Sequence, residues 1–365
     1  MKTSIILTVV CLSIHWNIDA QQLNPDTMKS PAILSLQALD FLWPVGDPFL
    51  FCAHHRDDYP AGNYSLGPDV SLDGRNLGED FTLKDGFRMY HGDSVPGFPA
   101  HPHRGFETVT IVRTGIVDHS DSHGQAGRYG NGDVQWMTAG SGLQHSEMFP
   151  LLNPGGRNPL ELFQVWLNLP AERKMVQPHF KMLWAEDIPV KVIRDAAGRE
   201  VSIAIIAGSF HGTKAADPAP DSWAAFPENE VAIFTIDLQA DATLEFEAAS
   251  PGLFRCLYFY EGGELLIEGQ KIPSKQAIRL RSEMPVVIQN GDRPAHLVLL
   301  QGKAVNEPVV QYGPFVMNTE DEIRKAFSDF RQTRFGGWPW PRPDMVHPRD
   351  KGRFAKHLDG REEVR

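Results

Sequence analysis

Short apolar runs that alternate with polar positions and break at glycine or proline occupy most of this chain. From "FRMYHGDSVPGFPAHPHRGFETVTIVRTGIVDHSDSHGQAGRYGNGDVQWMTAGSGLQHSEMF" to "LELFQVWLNL" at least five of them follow one another across glycine-rich turns. Period-two runs at that spacing predict the short strands of an antiparallel sandwich or barrel. A mixed, irregular stretch over 170–195 follows, then apolar "SIAIIAG" and a polar, proline-dotted surface loop, "HGTKAADPAPDSWAAFPENE". The strand pattern returns in "FTIDLQADATLEFE", "CLYFYEGGELLIEGQKI" and "PVVIQNGDRPAHLVLLQG", where Gly262-Gly263 between two apolar runs predicts a hairpin. The second half therefore reads as a weaker copy of the first, without a repeated string.

One helix stands out near the end. Thr319 and Glu322 form a capping box, and Ile323, Ala326, Phe327 and Phe330 make a single apolar stripe closed by Gly336-Gly337. Beyond it, "WPWPRPDMVHPRDKGRFAKHLDGREEVR" is proline-broken and then charge-rich. That predicts a peripheral or disordered tail, with Trp338 and Trp340 tucked against the body. The expected organisation is a first barrel over 30–169, a connection over 170–195 and a second barrel over 196–305. A segment with the capped helix over 306–337 and the tail over 338–365 complete it.

Composition narrows the functions open to such a fold. At 365 residues, with 42% hydrophobic and 22% charged positions, the chain can bury two cores. A net charge of −11 and a pI near 5.7 disfavour a sequence-independent grip on nucleic acid, which needs a basic surface. Lys2, the apolar run over 5–14 and Ala20 before "QQ" predict a secretory signal peptide over 1–20, too short in its apolar part to span a bilayer. The chain is then expected to be secreted or periplasmic and free of membrane, cytoplasmic location being the alternative. Valines precede Cys11, which disfavours lipidation there. The remaining Cys52 and Cys256 sit among bulky neighbours and are expected as buried free thiols, not a disulfide framework. Asn63-Tyr64-Ser65 is a formal glycosylation sequon.

The candidate chemistry lies in "HPHRG" and "LQHSEM". Residues i and i+2 of a strand share a face, so His101 projects with His103, and His145 with Glu147. Pro102 biases His101 towards extended geometry. An isolated HxH is more often exposed alternation than a ligand pair. A second pair, about forty residues on and delivered by the Gly140 and Gly142 turn, changes that balance. Three imidazoles and one carboxylate from two inward-facing strands predict a metal site with open positions for water or substrate. His119 and His123, in "HSDSHG", are expected to face solvent. His54 and His55 are candidates for a barrel mouth, with Arg56, Asp57 and Asp58 in surface ion pairs. Gln135, Trp136 and Met137 are read as packing.

The strings "HPHRGFETVT", "GDVQWMTAGSGLQHSEM", "FCAHHRDDYPAGN", "WLNLP", "KMVQPHF" and "YGPFVMNTEDEIRKAF" together resemble the pirins, over roughly residues 40–337. The resemblance implies an all-β chain of two tandem cupin barrels (double-stranded β-helix or jelly roll) with a short C-terminal helix. It also implies a metal site in the first barrel and a degenerate one in the second. Residues 231–305 agree, carrying one histidine, His296. Carried over by position, the resemblance makes His101, His103, His145 and Glu147 ligands of iron, Fe(II) or Fe(III), other divalent transition metals being admissible. The wider cupin pattern places its carboxylate at Glu107, which strand parity from His103 would also turn inward unless Gly105 introduces a bulge. Glu147 is favoured as ligand and proton acceptor, and Glu107 as a supporting residue. Pirins include quercetin 2,3-dioxygenases, which implies an oxygenase acting on a metal-chelating flavonol or related phenol. They also include transcriptional co-regulators, which implies the alternative of a non-enzymatic, iron-dependent redox sensor with an unknown protein partner.

Overall fold

The computed structural model describes residues 30–365, so the signal segment expected over 1–20 and Cys11 lie outside the described residues. Two barrels stand in tandem, each made of two antiparallel sheets. In the first, a five-stranded sheet runs His179–Leu183, Val134–Thr138, Phe106–Thr114, Asn158–Asn168, Phe49–Tyr59. Its six-stranded partner runs Glu362–Val364, Phe354–Lys356, Ala126–Gly130, Ile116–Asp121, Leu143–Met148, Gly97–His103. The second barrel has a seven-stranded sheet from Ile33–Ala38 to Val190–Arg194 and a four-stranded sheet from Thr243–Phe246 to Gln270–Pro273. Chain-consecutive strands often pass from one sheet to the other, which is the jelly-roll connection.

Ile203, Phe234, Leu257, Ile278, Ile288 and Leu297 fill the second barrel. A separate apolar layer joins the barrels back to back, with Val109, Trp136 and Val165 of the first against Ile233, Tyr258 and Val298 of the second. The five-stranded sheet is thus covered on both faces, which is why Phe106–Thr114 is buried through Val112. Cys52 and Cys256 are free thiols buried in this layer.

Several elements differ from the sequence reading. Ile33–Ala38 lies within 30–169 yet pairs with Gln276–Leu280 of the second barrel. The connection over 170–195 supplies a strand to each barrel, His179–Leu183 against Val134–Thr138 and Val190–Arg194 against Glu200–Ala207. Gly262-Gly263 makes no hairpin, because the strands it joins belong to different sheets. The hairpin comes one element later, between Glu264–Ile267 and Gln270–Pro273, turning on Glu268 and Gly269 at φ 48° and 81°. The tail over 338–365 lies at the edge of the first barrel, as expected, but is ordered there. Phe354–Lys356 extends the sheet of the first barrel beside Ala126–Gly130, and the Trp340 indole donates to the Asp121 carbonyl at 2.7 Å.

The helix Glu320–Thr333 carries the expected capping box and buries Ile323, Ala326 and Phe330. It ends before the glycines because Arg334 adopts the left-handed conformation, its N–H bonding back to the Phe330 carbonyl. This turn delivers Phe335 against Gly142, where even a Cβ would meet the ring at 2.8 Å. Arg104 reaches the helix at Asp329 (2.9 Å) and donates to the Ser141 carbonyl (2.8 Å), tying the helix to the segment that follows His103.

Candidate metal centre

Gly97–His103 and Leu143–Met148 are antiparallel neighbours, with His101 directly opposite His145 and a bulge between Phe98 and His101. Parity puts His101, His103 and His145 on one face, and one ring nitrogen from each lies within 4.8 Å of the others. His103 and His145 are buried and His101 is half-buried. Second bonds orient two of the rings. His101 Nδ1 donates to the Pro99 carbonyl at 2.9 Å and His103 Nδ1 to that of Pro314 at 3.4 Å, which assigns the Nε2 lone pairs to the centre. Burial holds the imidazoles neutral at pH 7, lowering His101 to about 4 and His103 and His145 well below the ordinary histidine value. Neutral rings are the form that ligates.

Both ring nitrogens of the fully buried His145 lack a hydrogen-bond partner. An unpaired buried polar group costs roughly 1–3 kcal/mol. A cation taking the Nε2 lone pair offsets that cost where no protein donor does, so the donor set fits a metal.

Glu147 lies beside this trio and outside it. Its Oε2 is 3.7 Å from His145 Nε2 and accepts from Gln164 Nε2 at 3.1 Å, while Oε1 lies 3.0 Å from the Thr110 hydroxyl, whose one proton it shares with Gln164 Oε1 at 2.6 Å. Burial raises its pKa. Glu107 does not point inward. Gly105, at φ +86°, donates to the Gly140 carbonyl and breaks the parity counted from His103. Thr110 reaches Glu147 inside the barrel, whereas Glu107 shares a face with Val109 and Ile111 and accepts from Thr138 (2.6 Å) and Ser222 (2.5 Å). Burial pushes Glu107 up to about 7. It is a residue of the barrel–barrel contact.

His119 reverses its expectation. It is fully buried in Ile116–Asp121, stands opposite Glu147 in register, stacks on Phe180 and lies 5.5 Å from His145 between ring centroids. His119 with Asp121 has the same i, i+2 spacing as His101 with His103 and His145 with Glu147, and that spacing is the signal the sequence carries. His123 is exposed, as expected. Neither His54 nor His55 opens the metal-bearing barrel. His55 is caged by Phe41, Tyr90 and Phe98 and lowered to about 3 by burial. His54 bonds Glu161 at 2.9 Å in a cleft of about 700 Å³ that Trp43 and Tyr260 also line. Arg56–Glu261 and Asp58–Arg157 are the expected surface pairs, but Asp57 is buried and accepts from Tyr90 and Arg88. Trp136 and Met137 pack in apolar clusters, and Gln135 is buried. Among the described residues no second such trio occurs, and His296 is bonded to Asp237 at 2.5 Å.

Tandem jelly rolls with a convergent histidine trio in the first define a bicupin whose first barrel carries a candidate metal site. The Pirin family model matches residues 68–167 and the Pirin C-terminal cupin domain model residues 233–336. The chain is 34% identical to Pirin of Homo sapiens over 268 residues, covering 72% of this chain and 84% of that one. It is 35% identical to a Pirin-like protein of Solanum lycopersicum over 266 residues, covering 71% and 82%. Among solved structures it resembles quercetin 2,3-dioxygenase from Acinetobacter baumannii, with a TM-score of 0.65 and 27% identity over 84% of this chain and 98% of that one. The chain belongs to the pirin family.

Proposed function

We propose that this chain is an iron-dependent dioxygenase of the quercetin 2,3-dioxygenase type, acting on a phenol with adjacent chelating oxygens. The observation that carries this reading is the carboxylate poised 3.7 Å from His145, beside three neutral imidazoles that converge inside the barrel. Iron held by His101, His103 and His145 supplies Lewis acidity towards a bound hydroxyl and a redox partner for dioxygen. Glu147, beside the trio, would accept the hydroxyl proton, kept in place by Thr110 and Gln164. Phe106 and Trp166, with ring centroids 5.0 and 5.4 Å from that of His103, form an apolar wall that restricts water. The proposed compartment is extracellular or periplasmic, on the strength of residues 1–20, and the mass of the mature N-terminus tests it.

The direct assay is loss of the quercetin absorption band with matched dioxygen uptake by iron-loaded protein. Glu147→Gln is expected to lower turnover by about 100-fold or more. Iron-loaded wild type that turns over no flavonol faster than His101→Ala overturns the reading. Redox-dependent capture of a protein partner without turnover would support the sensor in its place.

A further inference from the structure

The segment 338–365 lies beyond both matched family segments, the second of which ends at residue 336. It is nevertheless bonded to the strands that carry the metal trio. Arg128, almost fully buried on Ala126–Gly130, is the hub. Its Nε and Nη2 grip Asp118 at 2.7 and 2.8 Å; Nη2 also donates to the His347 carbonyl (2.9 Å). Nη1 donates to the carbonyls of Pro348 (2.7 Å) and Lys351 (2.6 Å). All five guanidinium donors are thus used, three of them on the C-terminal segment. Asp118 accepts the His347 N–H as well, at 2.7 Å. Without the segment, a buried ion pair would lose four hydrogen bonds, so the segment stays docked.

The docked segment touches the metal-bearing sheet at residues next to the ligands. The Ala100 N–H donates to the Pro343 carbonyl at 2.8 Å, beside His101. Just ahead of the segment, Gln144 Nε2, beside His145, donates to the Gly337 carbonyl at 2.8 Å, which fixes where the segment sets out. His347 Nε2 donates to the His119 carbonyl at 3.1 Å and the Trp340 indole to that of Asp121 at 2.7 Å. His119 and Asp121 are themselves paired in register with Glu147 and His145.

We propose that Arg128 is a positioning residue of the metal centre, fixing the C-terminal segment so that it holds the ligand-bearing strands at the spacing one ion needs. This rests on the histidine trio being a metal site. Cobalt(II) is the probe, titrated into metal-free full-length protein, with affinity from chelator competition and coordination from the visible absorption spectrum. Arg128→Leu is expected to weaken cobalt binding at least tenfold and change the spectrum, well below its own melting temperature. Arg128→Lys keeps the charge opposite Asp118 but cannot fork to three carbonyls, so it should fall between. If Arg128→Leu does not fold, Trp340→Phe, which deletes one indole N–H, should move affinity about three- to tenfold in the same direction. A lowered melting temperature with wild-type cobalt affinity and spectrum in Arg128→Leu or Trp340→Phe overturns the proposal alone. Wild-type protein that takes up no cobalt overturns the metal site with it.

Discussion

Glu107→Gln offers a quantitative test of the barrel–barrel contact. Glu107 is fully buried, its oxygens accept from Thr138 and Ser222, and burial raises its pKa from 4.5 to about 7. An unfolded chain releases this proton near 4.5 whereas the folded one keeps it until about 7. Between those pH values the folded state binds more protons than the unfolded state, so stability falls as pH rises. At 1.36 kcal/mol per pKa unit the penalty reaches about 3 kcal/mol above pH 7 and vanishes below the unfolded value. A neutral amide keeps the shape and carries no charge. Urea unfolding should therefore show Glu107→Gln close to wild type at pH 4.5 and more stable by about 3 kcal/mol at pH 8, with unchanged m-values. A difference that does not vary with pH, or a variant less stable at pH 8, refutes the assignment of Glu107 to a dry interface.

Other consequences are more local. Thr110→Val and Gln164→Leu each remove one contact from Glu147, worth about 1 kcal/mol; iron content by elemental analysis should hold while quercetin turnover drops roughly fivefold in each. Gly105→Ala would put a Cβ 2.0 Å from the Val316 carbonyl oxygen at φ +86°, and calorimetry should show a loss on the order of 2–4 kcal/mol. Burial raises both thiols, Cys256 to about 12, so neither Cys52 nor Cys256 should react with a thiol reagent at pH 8 until denaturant is added.

The histidine trio was legible because strand parity is a local rule: His101, His103 and His145 needed only two extended segments brought together. Glu107 defeated the same rule through the single residue Gly105, whose left-handed conformation resets parity between His103 and the next strand. His119 was masked by glycine-rich surroundings, although His119 and Asp121 repeat the informative spacing. The order of the tail is hidden because its composition is that of solvated chain. Its order comes from partners distant in sequence, Arg128 and Asp118, which no local pattern reveals. The Gly262-Gly263 turn failed for a related reason, since a jelly roll sends adjacent strands to different sheets and a turn signal does not say which. The helix, governed by short-range capping and one apolar stripe, was read almost to its end.

The most direct measurement is an anomalous difference map from crystals of the iron-loaded protein, recorded at the metal's absorption edge. A single strong peak about 2.1 Å from the Nε2 atoms of His101, His103 and His145 is the predicted result. A map without density between those rings, or with its strongest peak elsewhere in the chain, contradicts the account.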